Sequence, residues 1–308
     1  MGFTEHEQIT PPPFLATLVE NNEPGKPCED AQPRCFSINS QIFIIIADGV
    51  TRSRAPDGSY PNLSPARMAA DIAAMRAQRS IYDQALGGAE IDREALAHAV
   101  EEANEAVGRF SQQEGITPKS TDYMFHDLPA TSITIAAFSP RERILRYAAV
   151  ADSPVWVLNE EDHVMLTSMQ CNNKDKEKKR RKEMAQAAGV KFDNEWWRAF
   201  YRKNYRNRKD ATGKIDDTEL PMGYGALTGE DGAMDFLQLD RVIVPKHCWI
   251  MAGSDGFAVL EPNQMGARAH QYHERPEMIL SILASDVAET MRAKGKPHDD
   301  LSAVIIPV

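Results

Sequence analysis

The order of strand-like and helix-like segments restricts the fold most strongly, because the two kinds are grouped rather than alternated. The β-branched run at 42–46 has the composition of a buried strand. Two amphipathic helices follow it: Ser64 can cap the first, with Pro65 at its first position, and the second starts at Asp92. From 131 to 167 the pattern predicts an antiparallel meander of four short strands. This grouping predicts an α+β sandwich and argues against a doubly wound parallel sheet.

Hydrophobic spacing indicates which helix faces are buried. In the second helix, Ile91 and Leu96 are placed as a hydrophobic staple. In the first helix, large apolar side chains recur every three or four residues. They predict a buried face made of Met68, Ile72, Met75, Tyr82 and Leu86. The later predicted elements are strands at 240–244 and 248–252, a helix over 278–291 and a last strand over 301–308.

Composition places the chain among ordinary globular proteins. Of its 308 residues 42% are hydrophobic and 26% are charged, so the chain can bury a core and is not disordered throughout. The longest apolar run, 42–47, is too short to cross a bilayer. Residues 1–10 are polar and acidic, whereas a secretory signal begins with a basic and then an apolar stretch. The four cysteines form no C-x-x-C pair, which is typical of reduced thiols. We therefore expect a cytoplasmic protein that does not contact a membrane.

Charge is distributed unevenly along the chain. The net charge is −10, but residues 174–209 carry 14 Lys and Arg against 5 Asp and Glu, so this segment has a charge of +9 and the rest has −19. Aromatic side chains of the basic segment, such as Trp196 and Trp197, could stack on bases. The acidic remainder repels nucleic acid, so we expect no nucleic-acid partner. Clustered carboxylates favour hard divalent cations instead.

Acidic residues recur where predicted strands begin or end. Carboxylates that face one pocket repel one another unless a cation neutralises them, and oxygen ligands without a Cys or His cluster favour Mg²⁺ or Mn²⁺ over zinc. The alternative is that each Asp-Gly pair only forms a turn. The segment 252–256, A-G-S-D-G, also comes near a nucleophile elbow, but an alanine replaces the first glycine. The acidic sites are Glu29-Asp30, Asp48-Gly49, Asp152, Asp255 and Asp299-Asp300.

Six motifs follow one another in a fixed order over nearly the whole chain. They are Glu29-Asp30, F-I-I-I-A-D-G-V at 43–50, A-T-S at 130–132, A-A-V-A-D-S-P-V-W-V-L at 148–158, W-I-M-A-G-S-D-G-F at 249–257 and H-D-D-L-S-A-V-I-I at 298–306. This order resembles that of the PPM (type 2C) metal-dependent serine/threonine protein phosphatases. The resemblance implies an α+β fold, a four-layer α-β-β-α sandwich of two antiparallel sheets flanked by helix pairs. It also implies a centre of two Mn²⁺ or Mg²⁺ ions at one end of the sandwich.

The resemblance implies which residues hold the two ions. Asp48 would bridge them, and the carbonyl of Gly49 would join the shell of the second ion. Asp255 and Asp299 would hold the first ion, so that Asp48 and Asp255 are the catalytic residues implied by the motifs. Aspartate suits this task because it is short and accepts without donating.

Further acids are implied to act less directly. Glu29 and Asp30 would act on the second ion largely through water. Asp152, together with Asp255, would support a third and weaker ion. All of these roles follow from the positions of the motifs in the resemblance.

Two departures from the family concern the chemistry. Many members have Asp-Gly-His-Gly-Gly, with the His as a proposed general acid, whereas residues 48–52 read Asp-Gly-Val-Thr-Arg. Another group would then protonate the leaving group, or the substrate would carry a better one, such as an aryl phosphate. The phosphate-binding Arg expected before the Glu-Asp pair is replaced by Gly25. Lys26 and Arg52 are our candidates for phosphate binding, with Arg34 and Arg54 as further ones.

We expect one domain, 14–308, after an N-terminal leader, 1–13, with a basic flap inserted at about 170–225. The flap either steers phosphorylated or acidic substrates to the site or packs its aromatic side chains on the body and leaves its lysines in solvent. The predicted function is hydrolysis of phosphoserine and phosphothreonine by a monomeric enzyme whose partner is a phosphoprotein. The alternative is a weak or inactive phosphatase-like scaffold that binds a phosphoprotein. Retention of mutually repelling acids favours the enzyme.

Overall fold

The computed structural model describes residues 16–20, 28–50, 64–87, 91–124, 126–159, 163–215, 218–296 and 298–308. The strands in these ranges are β1 (Ala16–Glu20), β2 (Arg34–Ile38), β3 (Gln41–Ile46), β4 (Ile133–Ser139), β5 (Ile144–Val150), β6 (Val155–Leu158), β7 (Val164–Met165), β8 (Thr212–Ile215), β9 (Thr218–Pro221), β10 (Gln238–Ile243), β11 (Trp249–Gly253) and β12 (Leu301–Pro307). The α-helices are α1 (Pro65–Leu86), α2 (Arg93–Gln113), α3 (Asn172–Ala187), α4 (Asn194–Tyr205), α5 (Pro262–Gln271) and α6 (Pro276–Ala293).

Two antiparallel sheets of five strands form the centre of the molecule. The first sheet has the order β10-β5-β4-β3-β2 and the second has the order β1-β12-β11-β6-β7, while β8 and β9 form a separate hairpin. The predicted meander is wrong in one respect: β4 pairs with β5 and β6 with β7, but β6 lies in the second sheet. The turn at 151–154, where Ala151 has a φ of 70°, carries the chain between the sheets. Strand periodicity predicts strands but does not tell which sheet each one joins.

The two sheets pack face to face, and helices cover both outer faces. On β3, Ile44 and Ile46 belong to the core between the sheets, whereas Phe43 and Ile45 belong to the core under α1 and α2. All four side chains are buried, which explains why this strand is an unbroken apolar run. Helices α5 and α6 cover the second sheet. The predicted four-layer α-β-β-α sandwich is confirmed.

The buried face of α1 differs from the prediction. Met75 and Leu86 are 51% and 79% exposed, and Ile72 and Tyr82 are only half-buried. Small side chains let α1 lie close to α2 and to the sheet, so the largest apolar residues do not mark the buried face. Met68 is half-buried as well. The residues that form most of this face are Ala66, Ala69, Ala70, Ala73, Ala74 and Ala77.

The predicted helix starts are confirmed by their capping contacts. The Ser64 hydroxyl accepts a hydrogen bond from the backbone N–H of Ala66 (3.2 Å), with Pro65 in the first turn. The Asp92 carboxylate caps α2 in the same way, and the staple residues Ile91 and Leu96 are buried. The third predicted helix lies within α6, whereas α5 was not predicted.

The flap (residues 170–225) contains α3, α4 and the hairpin of β8 and β9. Trp197, Tyr201, Met222 and Tyr224 form a small separate core beside buried Cys171. The aromatic side chains therefore mostly pack inside the flap. No helix in the described ranges is long and apolar enough to span a membrane. The four cysteines are free thiols, as predicted.

One close backbone contact gives a test of the packing. Gly229 has a φ of 85°, and a Cβ placed there would overlap the backbone of Gly108 on α2. We expect Gly229→Ala to lower the free energy of unfolding by about 3 kcal/mol or more, from left-handed strain and overpacking. Gly115 also has a positive φ, of 71°, but has open space around it, so Gly115→Ala should cost only about 1 kcal/mol. Urea denaturation measures both; equal losses would contradict the contact.

Candidate active site

Acidic residues from both sheets line one cavity of about 360 Å³. Asp48 follows β3 and Asp152 lies in the turn after β5, so both belong to the first sheet. Asp255 follows β11 and Asp299 precedes β12 in the second sheet. Packing of the two sheets thus brings together acids that are far apart in sequence. Glu29, Gly49 and Asp300 also line the cavity.

Short backbone contacts fix the segment after β3. The backbone N–H of Ser132 donates to the carbonyl of Asp48 (2.8 Å), and the N–H of Gly49 donates to the carbonyl of Glu29 (3.2 Å). A Cβ on Gly49 would lie 2.6 Å from that Glu29 oxygen and 2.8 Å from the carbonyl of Ala66. Position 49 therefore requires glycine because the start of α1 approaches it so closely.

Glu29 has a structural role that the sequence did not predict. Its carboxylate accepts a hydrogen bond from the hydroxyl of Ser64 (2.8 Å), the residue that caps α1. Its backbone N–H donates to the carboxylate of Asp300 (2.8 Å). Asp300 is buried and was not assigned a role, although the Asp299-Asp300 doublet was the signal that could have found it. Glu29 and Asp300 together tie the start of α1 to the segment before β12.

Three of the acids have raised pKa values because they are buried close to one another. Burial, followed by the charges of Asp30 and Asp255, raises the pKa of Asp48 well above its usual range. Burial, followed by Asp299 and Asp152, does the same for Asp255. Burial also raises the pKa of Asp30 to about 6, and its carboxyl interacts directly with that of Asp48. A bound cation would remove this mutual repulsion.

The surroundings of Asp30 fit a hard cation. The residue is buried, and neither of its carboxylate oxygens accepts a hydrogen bond from a protein group in the described ranges. The hydroxyls of Ser254 and Ser302 lie near enough to lower its pKa, but Ser254 donates to the carbonyl of Asp300 instead (3.3 Å). A buried carboxylate without donors is stabilised by a proton or a metal ion. The all-oxygen donor set suits Mg²⁺ or Mn²⁺.

The acids do not form a coordination shell as they stand. Within the described ranges, no three His, Cys, Asp or Glu side chains are grouped closely enough to hold one ion. Coulombic interactions act over longer distances than a metal–oxygen bond of about 2.0–2.6 Å, so the acids influence one another without converging on one point. The assignment of individual residues to a metal ion therefore stays a prediction.

The predicted phosphate-binding residues Lys26 and Arg52 lie outside the described residues, as does Arg54. Arg34 donates to Gln78 (2.6 Å) and does not line the cavity. Val50, at the position of the family His, does line it. The cations that the structure places at this cavity come from the flap instead.

Four basic residues of the flap line the cavity: Lys174, Lys178, Arg198 and Arg202. Arg198 pairs with Glu195 (3.2 Å), whereas neither lysine forms an ion pair in the described part of the chain. One of the two alternatives for the flap left its lysines in solvent, whereas Lys174 and Lys178 are half-buried at the cavity. A run of like charges does not reveal which members of a helix face inward, so sequence reasoning missed them.

Lys174 lies in the first turn of α3, next to the acids. Burial lowers its pKa, but Cys171, Asp175 and Asp152 outweigh burial and raise the pKa well above its usual range. Burial also raises the pKa of the Cys171 thiol well above its usual range, and the charge of Lys174 acts against burial. Burial, Asp299 and Asp152 raise the pKa of Asp255, and the charge of Lys174 only partly opposes them.

A buried ion-pair network attaches the flap to the body. The Asp127 carboxylate accepts two hydrogen bonds from Arg206 (3.1 Å each) and lies 3.4 Å from the guanidinium of Arg202. All three side chains are buried, and Asp127 raises the pKa of Arg206 against the effect of burial. Because Arg202 also lines the cavity, this network positions one wall of the site.

Solved structures share this architecture at low sequence identity. The serine/threonine phosphatase PstP/Ppp of Mycobacterium tuberculosis is 13% identical, with a TM-score of 0.56 over 95% of this chain and 97% of that one. The PPM Ser-Thr phosphatase MsPP of Mycobacterium smegmatis is 14% identical, with a TM-score of 0.56 over 96% and 98%. The S. agalactiae serine/threonine phosphatase is 13% identical, with a TM-score of 0.57 over 96% and 99%. This chain has the fold of the PPM serine/threonine phosphatases, as its motifs predict.

Another structure adds information about the metal. The catalytic domain of PstP in complex with two manganese ions is 14% identical to this chain, with a TM-score of 0.53 over 95% of this chain and 96% of that one. No protein-family model and no curated protein matches the sequence. The comparisons therefore establish the fold, and activity has to be argued from the site.

The raised carboxyl pKa values predict how stability depends on pH without metal. An acid whose pKa is higher in the folded chain than in the unfolded chain stabilises the fold at low pH. This contribution is complete below the unfolded pKa, about 3.9 for Asp, and is lost as pH rises through the folded pKa, about 6 for Asp30. For Asp30 the loss over this whole pH range is roughly 2 to 3 kcal/mol, of which about 1 kcal/mol falls between pH 5.5 and pH 8. In EDTA we expect a lower Tm at pH 8 than at pH 5.5, a smaller difference in Asp48→Asn, and recovery at pH 8 with Mn²⁺. The control is Asp83→Asn, which changes a partly exposed ion pair on α1. If Asp48→Asn left the pH dependence of the Tm unchanged, the repulsion between Asp48 and its neighbouring acids would be contradicted.

The ion-pair network predicts a large effect of one substitution. Asp127→Ala leaves Arg206 buried without its main partner, so we expect it to lower the free energy of unfolding by about 3–5 kcal/mol. Glu105→Ala removes an exposed pair with Arg109 and should cost less than about 1 kcal/mol. Guanidinium denaturation monitored by tryptophan fluorescence compares the two variants. Similar losses in both would show that the buried network does not hold the flap.

Proposed function

We propose that the chain is a metal-dependent phosphatase that hydrolyses phosphoserine and phosphothreonine in proteins. The observation that carries the proposal is the burial of Asp48 and Asp255 at a single cavity, with Asp30 buried behind them close enough to raise the pKa of both. Such an arrangement costs stability at neutral pH unless a cation or a proton offsets the repulsion, and hard divalent cations bind such oxygen ligands. The fold shared with PPM phosphatases supports the same activity.

The centre we propose holds two Mn²⁺ or Mg²⁺ ions. When bound, the ions supply a nucleophilic hydroxide at neutral pH and neutralise the charge that develops on the phosphoryl oxygens. The PstP structure with two manganese ions supports a binuclear centre in this fold. The groups that would hold the ions are Asp48, the Gly49 carbonyl, Asp255 and Asp299, with Glu29 and Asp30 acting through water.

The remaining side chains of the cavity bind and orient the substrate in this proposal. A phosphate dianion is repelled by carboxylates, whereas Lys174 and Lys178 attract it from the flap side of the cavity. The network of Asp127 with Arg202 and Arg206 keeps that side in place, so the flap contributes a fixed charge and costs little reorganisation during the reaction.

Protonation of the leaving group limits the range of substrates. Val50 carries no acidic proton, and no histidine is among the described residues that line the cavity. Burial raises the pKa of Tyr224 to about 12 and that of Tyr201 well above its usual range, so both hydroxyls are weak acids near pH 7. We therefore expect aryl phosphates, whose leaving groups need no proton, to react faster than alkyl phosphates.

The second candidate function is a phosphatase-like scaffold that binds a phosphoprotein with little or no turnover. Val50 in place of a general acid favours it, and the buried acids favour the enzyme. For either function we propose a phosphoprotein partner and a monomeric, cytoplasmic protein that binds neither nucleic acid nor membranes.

Hydrolysis assays test the proposed enzyme. We expect Mn²⁺-dependent, EDTA-sensitive hydrolysis of an aryl phosphate and slower hydrolysis of a phosphothreonine peptide. Asp48→Asn and Asp255→Asn should each lower the rate by at least about 100-fold, because loss of a direct ligand costs no less than loss of an outer-shell partner. Asp83→Asn is again the matched control. Phosphopeptide binding without turnover would favour the scaffold, and activity in EDTA would contradict the metal mechanism.

A second substitution tests the missing acid directly. Val50→His places an imidazole at the cavity, and we expect it to raise the rate on the phosphothreonine peptide by up to about 100-fold, the lower end of general-acid catalysis. The rate on the aryl phosphate should change little, because that leaving group needs no proton. Val50→Asn, which adds polarity without an acid, is the control. An equal effect on both substrates would show that protonation does not limit the reaction.

A further inference from the structure

Lys174 lines the same cavity as Asp152 and Asp255, the two acids predicted to support a third metal ion. The motifs imply that Asp152 and Asp255 together support such an ion. The structure lines the same cavity with both carboxylates and with Lys174 of the flap. No carboxylate in the described ranges forms an ion pair with Lys174 shorter than 4.0 Å. The ammonium of Lys174 therefore interacts with several acids at longer range, Asp175 and Asp152 among them.

Two contacts determine where Lys174 lies. The backbone N–H of Cys171, the residue before α3, donates to the Asp152 carboxylate (3.2 Å), which anchors the start of the helix on that acid. The ammonium of Lys174 lies 5.9 Å from the centre of the Tyr224 ring, on the inner side of the flap. The position of Lys174 therefore follows from the same acid that the third ion would need.

The charge of Lys174 acts on both members of the predicted pair. It partly opposes the raised pKa of Asp255, and Asp152 is one of the groups, after Cys171 and Asp175, that raise the pKa of Lys174. Lys178, one turn further along α3, also lines the cavity, but its pKa is lowered by burial and then by the neighbouring cations Lys182 and Arg198. The charge of Lys174 thus interacts with the predicted metal-site acids, whereas the charge of Lys178 interacts mainly with other basic residues.

We propose that Lys174 is a built-in cation that lines the cavity with Asp152 and Asp255 and takes the place of a third metal ion, so that this protein binds two ions rather than three. The inference rests on the proposed binuclear centre. Lys174 acts as a positioning residue: it neutralises Asp152 and Asp255 on the flap side and excludes a further divalent ion by repulsion. Because it belongs to α3, the same charge holds the flap against the acids.

Counting bound manganese tests the inference without an activity assay. The full chain is dialysed to equilibrium against millimolar Mn²⁺, and the metal bound per chain is measured. We expect two ions in the unmodified protein and three in Lys174→Met and Lys174→Gln, with circular dichroism confirming that the variants are folded. The double variant Lys174→Met, Asp152→Asn should return to two. Lys174→Arg keeps the positive charge, and Lys178→Met removes a charge that does not belong to the acid pair. Both variants should bind two manganese ions.

The possible outcomes separate this inference from the proposed function. Two ions in the unmodified protein and in both Lys174 variants would overturn the inference and leave the binuclear centre intact. Three ions in the unmodified protein would also overturn the inference and leave the binuclear centre intact. No bound manganese in the unmodified protein would overturn the proposed function and the inference together. A third ion in Lys178→Met as well would show that any loss of flap charge admits it, which also overturns a specific role for Lys174.

Discussion

Repulsion among buried carboxylates is the interaction on which the organisation of this molecule depends. Asp48 comes from the first sheet and Asp255 from the second. After burial, Asp255 and Asp299 raise the pKa of Asp48 from across the sandwich, and Asp152 and Asp30 raise that of Asp255. The sandwich can only close if these charges are neutralised by protons or by cations. The same constraint accounts for the two carboxylate oxygens of Asp30 that accept no hydrogen bond from a described protein group and for a flap lysine that lines the cavity.

The surrounding structure holds these charges rigidly. Thr131 and Ser132 at the start of β4 hydrogen-bond to the carbonyl of Asp48, and Glu29 connects the Ser64 cap of α1 to Asp300. None of these contacts touches a reacting atom, yet each limits where a carboxylate can move. A scaffold of two packed sheets thus positions the acids, while the flap, attached through its own ion pairs, supplies the opposite charge.

The sequence predicted those parts of the fold that depend on residues close to one another in the chain. The apolar run of β3, the caps of α1 and α2 and the acids at strand ends all have short-range signals, and the fold they implied is confirmed. The sheet joined by β6, the alanine face of α1 and the inward direction of Lys174 depend on packing against distant segments. The pair of Asp127 and Arg206, 79 residues apart, has no local signature either. The metal roles of Asp48, Asp255 and Asp299 stay predictions.

The central claim is that the buried acids exist to bind two hard cations. Anomalous diffraction at the manganese edge, from crystals grown with Mn²⁺, tests it most directly. We expect two anomalous peaks at the cavity, with Asp48 in contact with both ions and with Asp255 and Asp299 on one of them. Ordered crystals that show no manganese at these carboxylates would contradict the account.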